Sequence, residues 1–162
     1  MKTDDEIQRE FLRHTIATLA YRAEKVVRDA PQDFSSFRIG SVTRPAGYIL
    51  AHISDLLDWS LWLLQGKHVW HDSTPLPWEE ERARMFDSFK ALDEYLAGTG
   101  VIACEMEKLF QGPIADALTH VGQLAMLRRL AGAPIRGENY FKAEIVAGRV
   151  GPGQSEKRVE FT

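Results

Sequence analysis

The stretch from Pro113 to Gly132, PIADALTHVGQLAMLRRLAG, decides the fold predicted for this chain. The larger apolar side chains in its middle recur three residues apart: Leu118, Val121, Leu124, Leu127 and Leu130. This spacing lies along one face of an α-helix. Pro113 suits the first turn of such a helix, where its missing N–H leaves no bond unmade, and Gly132 suits its end. The sequence therefore predicts a long amphipathic helix that opens at Pro113.

Two earlier segments show the same helical period. The first helix is predicted to begin at Thr3, because Thr3 and Glu6 have the spacing of a capping box, and to end before Pro31. The second is predicted to run from Thr43, as its N-cap, to Gly66, a residue that commonly ends helices. Apolar residues three and four apart fill the inner face of both segments.

A third helix is predicted from near Glu79 to Gly98, because three acidic residues open it and the apolar period continues through it. Four helices joined by loops predict an all-α fold, a four-helix bundle. We expect one domain over residues 1–162. Its helical core covers about residues 4–132, and a loop-rich tail, residues 133–162, packs near one end of the bundle.

The composition is that of an ordinary globular protein, with 44% apolar and 27% charged residues and a net charge of −3. This charge gives no reason to expect nucleic acid or a membrane as a partner. Cys104 is the only cysteine, so no disulfide can form within the chain. The polar start of the chain does not resemble a signal peptide. We therefore predict a cytoplasmic protein.

Three polar residues interrupt the apolar faces. His52 lies in or beside the buried face of the second helix, while Asp116 and His120 are four residues apart on the last helix and point the same way. One helix presents two ligands to a single metal ion at this spacing, and a facing helix can supply the third. The alternative is structural, since a histidine on an apolar face is often a hydrogen-bonded core residue and an Asp–His pair is often a surface pair.

Two segments carry a family resemblance. AHISDLLDW, residues 51–59, and ALTHVGQLAMLRRLAG, residues 117–132, resemble the two signature regions of the DinB-like (damage-inducible) superfamily. The resemblance follows the helix order over roughly residues 4–146 and is most specific at the HVGQL run, residues 120–124. It implies a four-helix bundle, and many members bind a divalent metal through three side chains.

Carried over to this chain, the resemblance gives His52, Asp116 and His120 as the metal ligands. Asp116 departs from the family, in which histidine is common at that position. Two histidines and a carboxylate suit Zn, Ni, Fe or Mn. Gln123 lies one turn after His120 and is a candidate for a supporting hydrogen bond, and we place Tyr48 and Trp59 as further candidates for the pocket. The resemblance also implies a homodimer, since members of this superfamily commonly dimerise.

The resemblance implies a divalent-metal-dependent enzyme that acts on a small molecule, by thiol-dependent transferase or isomerase chemistry or by hydrolase-type activation of water. A low-molecular-weight thiol is then a candidate partner. The alternative is a non-catalytic bundle that binds metal or oligomerises. No catalytic residue is assigned, although Tyr48, Asp55 and Glu144 are within plausible reach. His68, His71 and Cys104 have no assigned role.

Overall fold

The computed structural model describes residues 1–162 and is 58% helical, well above the roughly one-third of an average protein. The predicted all-α class is confirmed. The helices are α1 (Asp4–Val27), α2 (Ala46–Leu64), α3 (Trp78–Ala97), α4 (Met106–Leu109) and α5 (Ala115–Leu130). A π-helical turn, Phe110–Ile114, joins the last two, and short 3₁₀ turns lie at Phe34–Ser36 and Tyr140–Lys142. Two strands, β1 (Gly137–Glu138) and β2 (Glu160–Phe161), pair antiparallel.

The long helices form a ring in which α1 and α5 run in one direction and α2 and α3 run in the other. Arg128, near the end of α5, donates to the carbonyl of Val26 near the end of α1, at 2.8 Å. Arg13, in the first half of α1, instead forms two hydrogen bonds with Asp93 near the end of α3, each 2.9 Å long. Each helix therefore packs against two neighbours, as in a four-helix bundle.

A buried ionic cluster fixes the first halves of α2 and α3 side by side. The Arg84 guanidinium donates to Asp55 at 2.9 Å and to Glu81 at 2.6 Å. Asp55 also accepts bonds from the main chain and the hydroxyl of Ser73, and Glu81 accepts one from Ser54. With its oxygens occupied in this way, Asp55 holds the two helices together; it lines the smaller cavity beside His52 but does not join the candidate ligands.

The predicted start of the second helix is wrong. Pro45, not Thr43, occupies the N-cap position, and no side chain caps the helix there. The hydroxyl of Thr43 donates instead to the carbonyls of Ile39 and Gly40 in the preceding loop. A threonine hydroxyl that is turned towards the preceding loop does not present its oxygen to the free N–H groups at the helix start, which an N-cap must accept.

The prediction that Pro113 opens the last helix is also wrong. The helical path begins at Met106, and Pro113 lies inside the π turn that connects α4 to α5. Proline lacks an N–H and its ring clashes with the carbonyl four residues earlier, so a wider turn accommodates it within a continuous helix. By contrast, the predicted capping box at Thr3 and Glu6 is present and opens α1.

The tail packs along the side of α1. The carboxylate of Glu138 accepts hydrogen bonds from the Tyr21 hydroxyl at 2.5 Å and from the Lys25 ammonium at 2.8 Å. Lys25 also pairs with Glu160 on β2 at 2.8 Å. Further along the tail, Val150 is buried in the same core as the helices. Two charged anchors and one apolar anchor thus hold the tail against the bundle.

The core lies between the four long helices. Each contributes side chains that are fully buried, among them Ile16 from α1, Leu57 from α2, Phe89 from α3 and Leu124 from α5. These residues fall on the apolar faces that the sequence predicted, so burial of those faces holds the bundle together. None of the helices combines the length and the apolar character that crossing a bilayer requires.

Candidate metal centre

Helices α2 and α5 bring three possible metal ligands together. His52 lies in the second turn of α2, and Asp116 and His120 lie one turn apart at the start of α5. Their ligand atoms all lie within 4.8 Å of one another. The Nε2 of His52 is 3.5 Å from one oxygen of Asp116, and the Nε2 of His120 is 3.3 Å from the other. The two imidazole rings are perpendicular, with centroids 4.7 Å apart.

These distances fit the ligand shell of a metal ion. Two ligand atoms at opposite ends of an edge of a tetrahedral site, each about 2.1 Å from the ion, are about 3.4 Å apart. The two nitrogen–oxygen distances, 3.3 and 3.5 Å, are close to this value but run to different oxygens of Asp116, so one ion would bind both oxygens or require a small rotation of the carboxylate. Both distances exceed the usual range of about 2.7–3.2 Å for a direct N–H···O hydrogen bond. The two imidazoles and the carboxylate therefore fit a divalent ion, of the kind that nitrogen and oxygen ligands select.

Gln123 orients one of the two imidazoles, in the supporting position that the sequence predicted. Its amide oxygen lies 2.8 Å from Nδ1 of His120. Because an amide oxygen only accepts hydrogen bonds, this contact favours the tautomer with the proton on Nδ1, in which the lone pair of Nε2 faces Asp116. A ring nitrogen that donates to a second group in this way fixes the tautomer required for metal binding.

Burial keeps His52 in the neutral form that a metal requires. Only 18% of its side chain is exposed, and this burial lowers the pKa of His52 below its ordinary value of 6.5. The charges of the neighbouring His120 and of Arg44 lower that pKa further, whereas the adjacent Asp116 carboxylate opposes the shift. Desolvation is the largest of these effects, so the imidazole favours its uncharged state.

The loop between α2 and α3 adds an aromatic wall. Trp70 meets the edge of His52, with ring centroids 5.6 Å apart. Trp59 contacts Trp70 at the same centroid distance and stacks on His68 at 5.4 Å. The predicted pocket residue Trp59 thus lies behind Trp70 and supports it. Trp70 was missed as a neighbour of His52 because a loop has no period from which to read its direction.

Two cavities flank His52. The larger, about 620 Å³, lies between α2, α5 and the loop that precedes α2. Its lining residues are Ile39, Thr43, Arg44, Ile49, His52, His120, Gln123, Met126 and Leu127. The smaller, about 240 Å³, includes the half-exposed Tyr48 together with Arg44 and His52. Tyr48 therefore lies near the triad, as predicted, whereas no sequence pattern indicated Arg44, which precedes the helix.

The remaining candidates do not join the triad. His71 lies 3.1 Å from Asp58 in an exposed pair of its own. Glu144 pairs with Arg158 in the tail. Cys104 is half-buried before α4, and burial raises the pKa of its thiol, which disfavours the reactive thiolate. None of these residues lines either cavity beside His52.

No family model, curated protein or solved structure matches this chain. The likeness to the DinB-like superfamily therefore stays a prediction from the two short segments that contain His52 and His120. The spacing of the triad, the contact between Gln123 and His120 and the adjoining cavity are observations that stand without it.

Proposed function

We propose that this protein is a divalent-metal-dependent enzyme that acts on a small molecule bound beside His52, Asp116 and His120. The observation that carries the proposal is the convergence of these three ligands, from two helices, next to a cavity of about 620 Å³. Cavities of about 300–1,000 Å³ are typical of small-molecule sites. If Asp116 and His120 were only an ordinary surface pair, there would be no reason for His52 to converge on them or for a cavity to lie beside them.

Each residue has a definite task in this proposal. His52 and His120 bind the ion through Nε2, Asp116 binds through its carboxylate, and Gln123 holds His120 in the correct tautomer. Three protein ligands leave further positions for water or substrate, as in catalytic rather than structural sites. When bound, Zn, Ni, Fe or Mn supplies a Lewis acid that lowers the pKa of a water or thiol. Trp70 excludes solvent from one side of His52.

The class of reaction follows from the resemblance to the DinB-like superfamily. It favours thiol-dependent transferase or isomerase chemistry with a low-molecular-weight thiol, or hydrolase-type chemistry with water. The competing proposal is a bundle that binds metal without turnover. The larger cavity beside His52 is lined by no aspartate or glutamate, and in the smaller one Asp72 is the single carboxylate without a hydrogen bond or ion pair. No catalytic base is assigned.

A substrate screen tests the enzyme proposal. Protein loaded separately with Zn, Ni, Fe and Mn is assayed against small esters, amides and electrophiles, with and without a low-molecular-weight thiol. We expect turnover that depends on the metal and is lost in Asp116→Ala. His71→Ala is the matched control, because His71 belongs to an exposed His–Asp pair outside the triad. Metal-loaded protein that turns over no substrate in any combination would favour the non-catalytic module.

We also propose that the protein forms a homodimer, as the resemblance implies. Exposed apolar side chains along α5, Leu118, Met126 and Leu130, are consistent with a contact surface. Sedimentation equilibrium that shows only monomer at high concentration would contradict this proposal. The cytoplasmic location stays a prediction.

A further inference from the structure

We propose that the larger cavity binds a small amphipathic carboxylate, with Arg44 holding the carboxylate and the apolar walls holding the chain. This inference rests on the proposed function, since it names the class of substrate that would reach His52 and His120. It does not follow from the metal ligands themselves. It follows from the charge and polarity of the other residues that line the cavity.

The residues that line the cavity include a positive charge and no negative charge; the Asp116 carboxylate contacts the two histidines but is not part of the lining. None of the lining residues is an aspartate or a glutamate, and apart from the two histidines Arg44 is the only ionisable side chain among them. A divalent ion at the triad would add further positive charge. An anion is therefore the ligand that this cavity attracts, because opposite charge is concentrated where low-dielectric walls focus the field.

Arg44 has no partner within the chain. Its guanidinium makes no ion pair within 4.0 Å and no hydrogen bond, although it lines both cavities beside His52. Two acidic residues line the smaller cavity, but Asp55 is occupied by Arg84 and Ser73, and Asp72 does not approach Arg44 within 4.0 Å. A free guanidinium at the mouth of a cavity presents paired N–H donors that match a carboxylate.

The rest of the cavity requires an apolar ligand body. Ile49 from α2, Met126 and Leu127 from α5, and Ile39 from the loop form its apolar surface. A simple inorganic anion would leave this surface in contact with water. An alkyl or aryl chain would bury it, and each Å² of buried apolar surface would contribute about 25 cal/mol to the binding free energy. A single guanidinium matches a singly charged carboxylate better than a dianionic phosphate, which usually takes several donors.

Isothermal titration calorimetry with matched probes tests this inference. The probes are hexanoate, its neutral analogue hexanamide, the longer octanoate, and hexyl phosphate. Each is titrated into metal-loaded and metal-free protein, as wild type, Arg44→Gln and Arg129→Gln. Arg129 is the matched control, because it is an exposed arginine outside the cavity that likewise makes no ion pair.

We expect wild type to bind hexanoate at least about threefold more tightly than hexanamide, with or without metal, and octanoate more tightly than hexanoate. Arg44→Gln should abolish the preference for the carboxylate, and Arg129→Gln should keep it. Equal binding of hexanoate and hexanamide by wild type would overturn the inference. Tighter binding of hexyl phosphate than of hexanoate would overturn the choice of a carboxylate.

The two proposals fail in different ways. A carboxylate preference that requires metal and survives Arg44→Gln would place the anion on the ion, which refutes the role of Arg44 and supports the metal centre. If wild type takes up no divalent metal yet prefers hexanoate, and Arg44→Gln loses that preference, the failure to bind metal would refute the metal centre while the preference would support the anion site.

Discussion

The amide oxygen of Gln123 lies 2.8 Å from Nδ1 of His120, one turn away on the same helix. This contact favours the tautomer of His120 in which Nδ1 carries the proton, so that the lone pair of Nε2 faces Asp116. A single residue outside the proposed ligand set therefore controls the chemistry of one ligand.

Replacement of Gln123 tests this control. Gln123→Ala should weaken metal affinity by about 10–100-fold, the usual effect of losing a hydrogen bond to a ligand histidine, without changing the ligands themselves. Gln123→Glu should retain or strengthen binding, because a carboxylate also accepts from Nδ1 and adds negative charge. Competition with a chromophoric chelator measures both affinities. Unchanged affinity in Gln123→Ala would show that the contact has no part in metal binding.

Substitution of Asp116 distinguishes a ligand from a spectator. Asp116→Ala should reduce affinity most, and Asp116→Asn should lie between Ala and wild type, because the amide keeps an oxygen but loses the charge. Asp116→His should preserve binding by restoring the ligand set that is common in the resembling family. The visible spectrum of the Co(II)-loaded variants reports the change of ligand. Identical spectra for all four proteins would mean that Asp116 does not coordinate.

The buried position of His52 predicts a pH dependence in the metal-free protein. Its pKa is lowered in the fold relative to about 6.5 in an unfolded chain, so the unfolded state binds the proton more readily. The stabilising contribution of neutral His52 is thus complete above pH 6.5 or so and declines as the pH falls towards the lowered pKa. Urea unfolding of wild type and His52→Gln should therefore show that the free energy of unfolding falls less in the variant when the pH is lowered below about 6.5. Proton NMR that places the pKa of His52 above 6.5 would contradict the argument.

The buried pair of Glu138 and Lys25 predicts that the tail is essential for stability. Glu138→Ala would leave the Lys25 ammonium, which is 3% exposed, with Glu160 as its one remaining carboxylate partner and the buried Tyr21 hydroxyl without its acceptor, and should destabilise the fold by about 3 kcal/mol. Glu144→Ala removes an exposed ion pair of the same tail and should cost less than about 1 kcal/mol. Urea denaturation measures both. Equal reductions in the free energy of unfolding for Glu138→Ala and Glu144→Ala would show that the tail is not anchored through Glu138.

The helical period predicted the bundle well, because burial of one apolar face is a local property that repeats along the chain. The same period placed His52 on an inner face of α2 and Asp116 and His120 on one side of α5. Pro113 was interpreted as a helix start because the preference of proline for the first turn is strong. The π turn that contains it depends on packing between α4 and α5, which no local pattern reports.

Loop residues of the site lay beyond prediction for a physical reason. Trp70 and Arg44 reach His52 from segments without a repeating backbone geometry, so their side-chain directions follow from tertiary contacts alone. Trp59 was placed in the pocket from its helical spacing to His52, yet Trp70 comes between them. Sequence reasoning therefore found the ligands that regular helices present and missed the groups that enclose them.

Metal stoichiometry after purification without a nickel column tests the central claim most directly. Plasma mass spectrometry is applied to wild type, His52→Ala and the control His71→Ala, all purified identically. The account predicts about one divalent ion per chain in wild type and in His71→Ala, and a strongly reduced content in His52→Ala, because His52 supplies the only ligand from α2. Equal metal content in wild type and His52→Ala, or no metal in wild type even after incubation with Zn, Ni, Fe and Mn, would contradict it.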